Sequence, residues 1–339
     1  MSIKTALRHS RESGDDHLDI THKIRTTDYL ETRFNLSDPN DPIARQYMPS
    51  AEETVPSLLD QTDPIGDHKN GVGKLIVHRY PDRLLLLATD HCAAYCRFCF
   101  RKDRVGKGEA VPHDADMEEA LSYIEKNKSI WEVIFSGGDP LILSPRRLEQ
   151  IISRVVNIPH VKTIRFHTRM PVSDPSRITP ELAKAIVSNK ATYIVIHANH
   201  PDELTQEAIN GFRILQKSGA VLLSQSVLLR GVNDNAETLE QLFRGLVENS
   251  IKPYYLHHPD LVEGSAHFQL SLDEGEALMK DLRGKISGLC WPTYVLDIPG
   301  GFGKVPVNAS YLTKTPDGRY LVEDIYGDKH AYPPKAKHD

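Results

Sequence analysis

With 339 residues, 41 Lys and Arg against 46 Asp and Glu, and a formal net charge of −5, the chain is long enough to bury a large core. It is too mildly acidic to suggest a nucleic-acid or anionic-membrane partner, residues 4–19 hold no signal-peptide apolar stretch, and no apolar run approaches the roughly 20 residues of a membrane helix. Four cysteines do not make a disulfide framework, so the expectation is a cytoplasmic α/β protein with reduced thiols and no membrane contact.

In chain order, residues 1–75 are polar, carry a Pro/Asp-rich stretch at 38–42 and show no strand beat; they read as a helical N-terminal extension. Short apolar runs then begin at residues 84, 133, 163, 193, 221 and 253, the last five about 30 residues apart, the length of one βα unit. They read as continuously apolar, as strands of a parallel sheet covered on both faces do. Between them, Ser144 before Pro145 and Thr179 before Pro180 predict helix starts, each a polar cap followed by Pro at the first helical position. Residues 205–217 place Ile209, Phe212, Ile214 and Leu215 near helical spacing before a stop at Gly219, and residues 117–124 and 239–246 pattern alike. The prediction over 76–305 is therefore an open, partial β/α barrel of about six units. Residues 293–297 offer one further strand. Over 306–339, segments 311–313 and 319–322 flank Pro316, Asp317 and Gly318, predicting a short C-terminal hairpin, with a disordered tail from about Pro333.

In a parallel barrel the functional groups come from the C-terminal strand ends, and each polar motif here falls at such a place. Cys92, Cys96 and Cys99 form a C-x3-C-x2-C run after the first strand. Three thiolates on one tight loop can hold three irons of a [4Fe–4S] cluster and leave the fourth iron open for chemistry. The alternative is a zinc site completed by His91 or a distant histidine, but zinc ribbons present two separated cysteine pairs and only one cluster exists here. Cys290 reads as a small buried hydrophobe.

Gly137, Gly138 and Asp139 follow the second strand, either as a plain turn or as backbone and carboxylate for a ligand's ammonium group. His167, Thr168 and Arg169 follow the third. His197 and His200 end the fourth, and without further ligands an H-x2-H pair is more often structural than metal-binding. Pro299, Gly300, Gly301, Phe302, Gly303 and Lys304 are no P-loop, since the Ser/Thr is missing. A lysine on such a turn is either an exposed turn residue or one able to form a Schiff base with an aldehyde cofactor. Asp260 and Asp297 end strand-like segments, as caps or as a pair for a substrate ammonium. Arg101, two residues past Cys99, is a solvated arginine or a carboxylate binder.

Taken together these residues resemble the lysine 2,3-aminomutase family of radical SAM enzymes. The likeness rests on His78, Arg79, Tyr80, Pro81, Asp82 and Arg83; on the cysteine run; on Phe135 to Pro140; on Ser224, Gln225 and Ser226 with Gly231 to Asp234; and on Asp297 to Lys304. It covers roughly 75–305. It implies a [4Fe–4S] cluster on Cys92, Cys96 and Cys99, with S-adenosylmethionine on the open iron against Gly137, Gly138, Asp139 and Gln225. Lys304 matches the lysine that bonds pyridoxal phosphate, and Arg79, Tyr80 and Arg83 match the region near the phosphate. Arg101 matches the binder of the substrate carboxylate, and Asp260 and Asp297 the pair that binds the side-chain ammonium of lysine.

The implied activity is an isomerase interconverting L-lysine and β-lysine, reduced by a flavodoxin or ferredoxin and assembled as a homo-oligomer. Phe302 stands where a glycine is common, adding bulk near the cofactor. Asn235 stands where zinc-containing members carry a cysteine, and none follows Cys290, so no zinc is expected. The short C-terminus is close to the branch that makes (R)-β-lysine for elongation factor P, which is a rival physiological role. The two aspartates disfavour glutamate. The other readings are a radical SAM enzyme of a different reaction class, and a non-enzymatic iron–sulfur or zinc module.

Overall fold

The computed structural model describes residues 22–308 and 310–333. Ten strands form one sheet in sequential order: β1 (Gly71–Val72), β2 (Ile76–Tyr80), β3 (Arg83–Thr89), β4 (Glu132–Gly137), β5 (Thr163–Thr168), β6 (Ala191–His197), β7 (Val221–Val227), β8 (Lys252–His257), β9 (Thr293–Ile298) and β10 (Gly303–Pro306). Strands β3 to β9 run parallel, so residues 293–298 add a seventh parallel strand to the six apolar runs. Antiparallel β2 and β10 flank them, and β1 does not meet β10, which leaves the curled sheet an open half-barrel.

Six helices cover its outside: α1 (Asp114–Lys126), α2 (Pro145–Val156), α3 (Pro180–Ile186), α4 (Gln206–Lys217), α5 (Ala236–Glu248) and α6 (Leu272–Leu282). Five begin on a side chain that accepts a free first-turn N–H: Ser144, Thr179, Thr205, Asn235 and Ser271. Their apolar stripes, such as Leu148, Ile151, Ile152 and Val155 of α2, pack on the even-numbered strand residues Ile164, Phe166, Ile194, Ile196, Leu222, Leu256 and Tyr294. Phe135 and Phe166 stack there at 4.7 Å. The odd-numbered residues of β5 to β9 face the other way, and Arg165, His167, His197, Gln225, Tyr255, His257 and Asp297 line a cavity. The strands therefore alternate, with a helix-covered face and a polar inner face. The expected all-apolar reading holds only for a barrel filled by its own side chains, and this one is not filled.

The N-terminal extension is less helical than its composition predicts. Among residues 22–70 it has three four-residue helical turns, Asp28–Glu31, Ala44–Tyr47 and the tighter 3-10 turn Ala51–Thr54, and otherwise runs as irregular chain over the cysteine loop. Long-range bonds hold it there: Tyr95 N to Arg25 O at 2.9 Å, Arg97 N to Gln46 O at 2.8 Å, and the buried Arg97–Glu53 ion pair. At the other end, the expected hairpin gains a third antiparallel strand. It comprises β11 (Leu312–Lys314), β12 (Tyr320–Glu323) and β13 (Lys329–Tyr332). The tail expected to be disordered lies, from 334 on, outside the described residues. Among the described residues no helix is long and apolar enough to cross a membrane.

Candidate active site

The cysteine loop leaves β3 and folds back over the end of β4. Gly138 N donates to Thr89 O at 2.6 Å and Asp139 N to His91 O at 2.9 Å. A Cβ on Gly137 would strike Thr89 O, and one on Gly138 would strike His91 O, so both glycines are required where two backbones touch. Asp139 is buried, and its carboxylate takes donors from Thr168 Oγ1 (2.8 and 2.9 Å), Arg169 N (2.7 Å) and Leu141 N (3.0 Å). It ties the β4 end to the β5 end. Its oxygens serve protein donors, as the plain-turn reading of this segment has it.

Cys92, Cys96 and Cys99 are free thiols that line one cavity of about 380 Å³. Burial pushes the Cys92 thiol well up and the Cys99 thiol, next to Cys96, up to about 11. A bare thiolate is thus unfavourable here, and cationic iron would offset that cost. Among the described residues, no three His, Cys, Asp or Glu groups converge on the coordination sphere of one ion. Three thiols on one loop lining one cavity are the donor set that a [4Fe–4S] group with one open iron takes.

Lys304 lies on the opposite wall. The β9–β10 register sets it directly across from Asp297, and its Nζ lies 2.7 and 2.5 Å from the two carboxylate oxygens. The turn between them needs positive φ at Gly300, Gly301 and Gly303, and Lys304 N donates to Tyr80 Oη at 2.9 Å. Phe302 is 72% exposed with the Lys69 ammonium 4.5 Å over its ring, so its bulk points to solvent and not toward the cavity as expected. Asp297 also faces Arg79 Nη1 at 3.4 Å and His257 Nδ1 at 3.5 Å.

The two aspartates titrate in opposite directions. Burial alone would raise Asp297, but the His257 hydrogen bond and the Lys304 ammonium outweigh it and hold the carboxyl well below the usual range. Burial and the Asp297 charge push Asp260 up to about 7.

Arg101 Nε donates to Asp67 at 2.7 Å and its Nη1 to Ser136 at 3.0 Å. Asp67 also meets Arg79 at 3.4 Å, so one carboxylate steadies two arginines. Nothing in the sequence pattern pointed to Asp67. It lies in the irregular extension, which carries no periodicity. Arg83 stacks on Tyr80 at 3.9 Å, and Gln225 lines the same cavity from β7. His197 lines it too, whereas His200 turns away and accepts from Asp202 N at a helical turn.

Arg79 Nε and His167 Nε2 are buried with no hydrogen-bond partner among the described residues. Buried polar groups are rarely left so, and a polar ligand in the cavity would satisfy them. All fourteen predicted site residues thus line one cavity. A second, more open cleft among Arg25, His91 and Arg147 lies outside the barrel and holds none of them.

A family model described as the radical SAM superfamily matches residues 86–242, and one described as lysine-2,3-aminomutase matches residues 279–336. The chain is 36% identical over 307 residues to an L-lysine 2,3-aminomutase of Acetoanaerobium sticklandii, covering 91% of this chain and 74% of that protein. To the L-lysine 2,3-aminomutase of Clostridium subterminale it is 37% identical, covering 90% and 73%. A glutamate 2,3-aminomutase of Clostridioides difficile is also 37% identical, covering 82% and 67%. The two family models take in the cysteine loop and Lys304 between them, and identity of this extent runs through most of each relative. The chain belongs to the lysine 2,3-aminomutase family of radical SAM enzymes.

Proposed function

We propose that the protein is an L-lysine 2,3-aminomutase, moving the α-amino group of lysine to the β-carbon. The observation that carries the substrate is the Lys304–Asp297 pair with Asp260 beside it. A lysine ammonium already sits on the carboxylate that a substrate ammonium would use, and a second carboxylate is at hand. An anionic glutamate side chain would meet repulsion from the ionised Asp297, and from Asp260 once it loses its proton.

When bound, the cluster with S-adenosylmethionine supplies a hydrogen-abstracting carbon radical, and pyridoxal phosphate supplies the carbonyl group that carries the migrating amine. Cys92, Cys96 and Cys99 would hold the iron. Gly137 and Gly138 keep the wall beside it free of side chains, and Gln225 would contact S-adenosylmethionine. Lys304 would bond pyridoxal phosphate, with Arg79, Tyr80 and Arg83 at its phosphate. Arg101, steadied by Asp67, would take the substrate carboxylate, while Asp260 and Asp297 take the far ammonium. Two clamps of opposite sign at fixed separation orient a cationic amino acid, and the cavity walls keep water from the reacting carbons. A one-electron donor of the flavodoxin or ferredoxin type would supply the cluster.

Borohydride treatment of protein loaded with pyridoxal phosphate, followed by peptide mass spectrometry, should place a phosphopyridoxyl label on Lys304, and Lys304→Ala should lose it. A wild-type protein that never takes up the label would favour a radical SAM enzyme of another reaction class.

A further inference from the structure

Arg169 follows β5, is buried, and has no part in the roles above. Its guanidinium is held through Nη2 and between two rings, while Nε is buried without a hydrogen-bond partner among the described residues. Nη2 donates to Glu203 Oε1 at 2.6 Å and to Gln46 Oε1. Tyr47 and Phe98 lie against it, with ring centroids 4.6 and 5.3 Å from Cζ. The remaining arm, Nη1, points at Cys96 Sγ, 2.9 Å away. Glu203 cannot swing off either, because it accepts from Asn199 N at 2.6 Å and His200 N at 2.9 Å. A cation this costly to bury is held only where its contacts are made, and its one contact outside this grip is a sulfur of the cysteine loop.

We infer that Arg169 sets the reduction potential of the iron–sulfur cluster through Cys96, an inference that rests on the cluster reading above. Reduction adds one electron and so one negative charge to the cluster and its thiolates. A fixed N–H and positive charge at one ligand sulfur stabilise the reduced state more than the oxidised one and raise the potential. Glu203, the buried counter-ion, offsets part of that charge. The two residues therefore push the potential in opposite directions, while Gln46, Tyr47 and Phe98 hold the geometry.

The test uses anaerobically reconstituted wild type, Arg169→Gln and Glu203→Gln, with iron and sulfide content measured first. The dithionite-reduced cluster is then followed by electron paramagnetic resonance across a redox titration. Arg169→Gln should lower the ratio of reduced to oxidised cluster at a fixed ambient potential by about tenfold, a negative shift of about 59 mV for a one-electron couple. Glu203→Gln should shift it positive. An intact cluster with unchanged potential in Arg169→Gln, or shifts of the same sign in both variants, would overturn the inference. Should Arg169→Gln fail to assemble a cluster, Arg169→Lys decides: a smaller negative shift supports the role and an unchanged potential refutes it. A wild type that binds no cluster would refute the cluster reading instead.

Discussion

Asp260 and Asp297 share one cavity, yet their carboxyls are driven apart, Asp260 up to about 7 and Asp297 down. Below about pH 7 Asp260 carries a proton and offers no charge to an ammonium; above it the carboxylate is free to bind one. Lysine affinity should therefore rise as pH increases from 6 to 8, and Asp260→Asn should flatten that profile while weakening binding overall; equilibrium binding across pH measures both. The same shift bears on the fold. The folded state holds the Asp260 proton more tightly than the unfolded chain, so this residue's contribution to stability is present at acid pH and lost as pH rises from about 4 through about 7.

Asp67→Asn removes the charge that steadies Arg101 and Arg79. The expected result is a KM for the amino acid raised roughly tenfold with a smaller change in kcat, since a binding group is loosened; steady-state kinetics would show it. The cysteine run was legible from its spacing, and Lys304, Arg101, Asp260 and Asp297 from the family resemblance. Asp67 and Glu203 were not, because an isolated acid has the same signature whether it steadies an arginine or faces solvent.

At the scale of elements, the Lys304 turn is held from outside by residues 64–70. Gly300 N donates to Pro64 O at 3.0 Å, and Gly66 sits so close that a Cβ there would lie 2.6 Å from Gly301 Cα. Gly66 also has φ of +67°. Gly66→Ala should destabilise the protein by about 2 kcal/mol and lower its melting temperature, with loss of pyridoxal phosphate affinity as the turn shifts. Thermal melts with and without the cofactor would detect it.

Helices α2 and α3 were readable from Ser144 and Thr179, since caps are local chemistry, and α4 from its apolar spacing and the stop at Gly219. The irregular path of the extension's described part, 22–70, is held by Arg97, Gln46 and Glu53 through contacts far apart in sequence, which no local propensity reports. The third C-terminal strand, β13, follows a turn at Gly327 and was missed for want of an apolar run: its four residues are exposed.

On the scale of the whole molecule, the half-barrel leaves its inner face unfilled, and the cavity takes one wall from the β3 loop and the other from the β9–β10 turn. Cysteines near one end of the parallel strand order and a lysine near the other can meet only because the sheet curls. The family resemblance covered both ends, so the barrel was legible from the repeat of apolar runs and the site from its motifs. The tie between them, through Asp67 and Arg79 to Asp297, was visible only in three dimensions. The most direct test is anaerobic turnover: reconstituted protein with dithionite, S-adenosylmethionine, pyridoxal phosphate and L-lysine, the products separated by chiral chromatography. The account predicts β-lysine, abolished by Lys304→Ala. Unchanged lysine beside rearranged glutamate or another amino acid would contradict it.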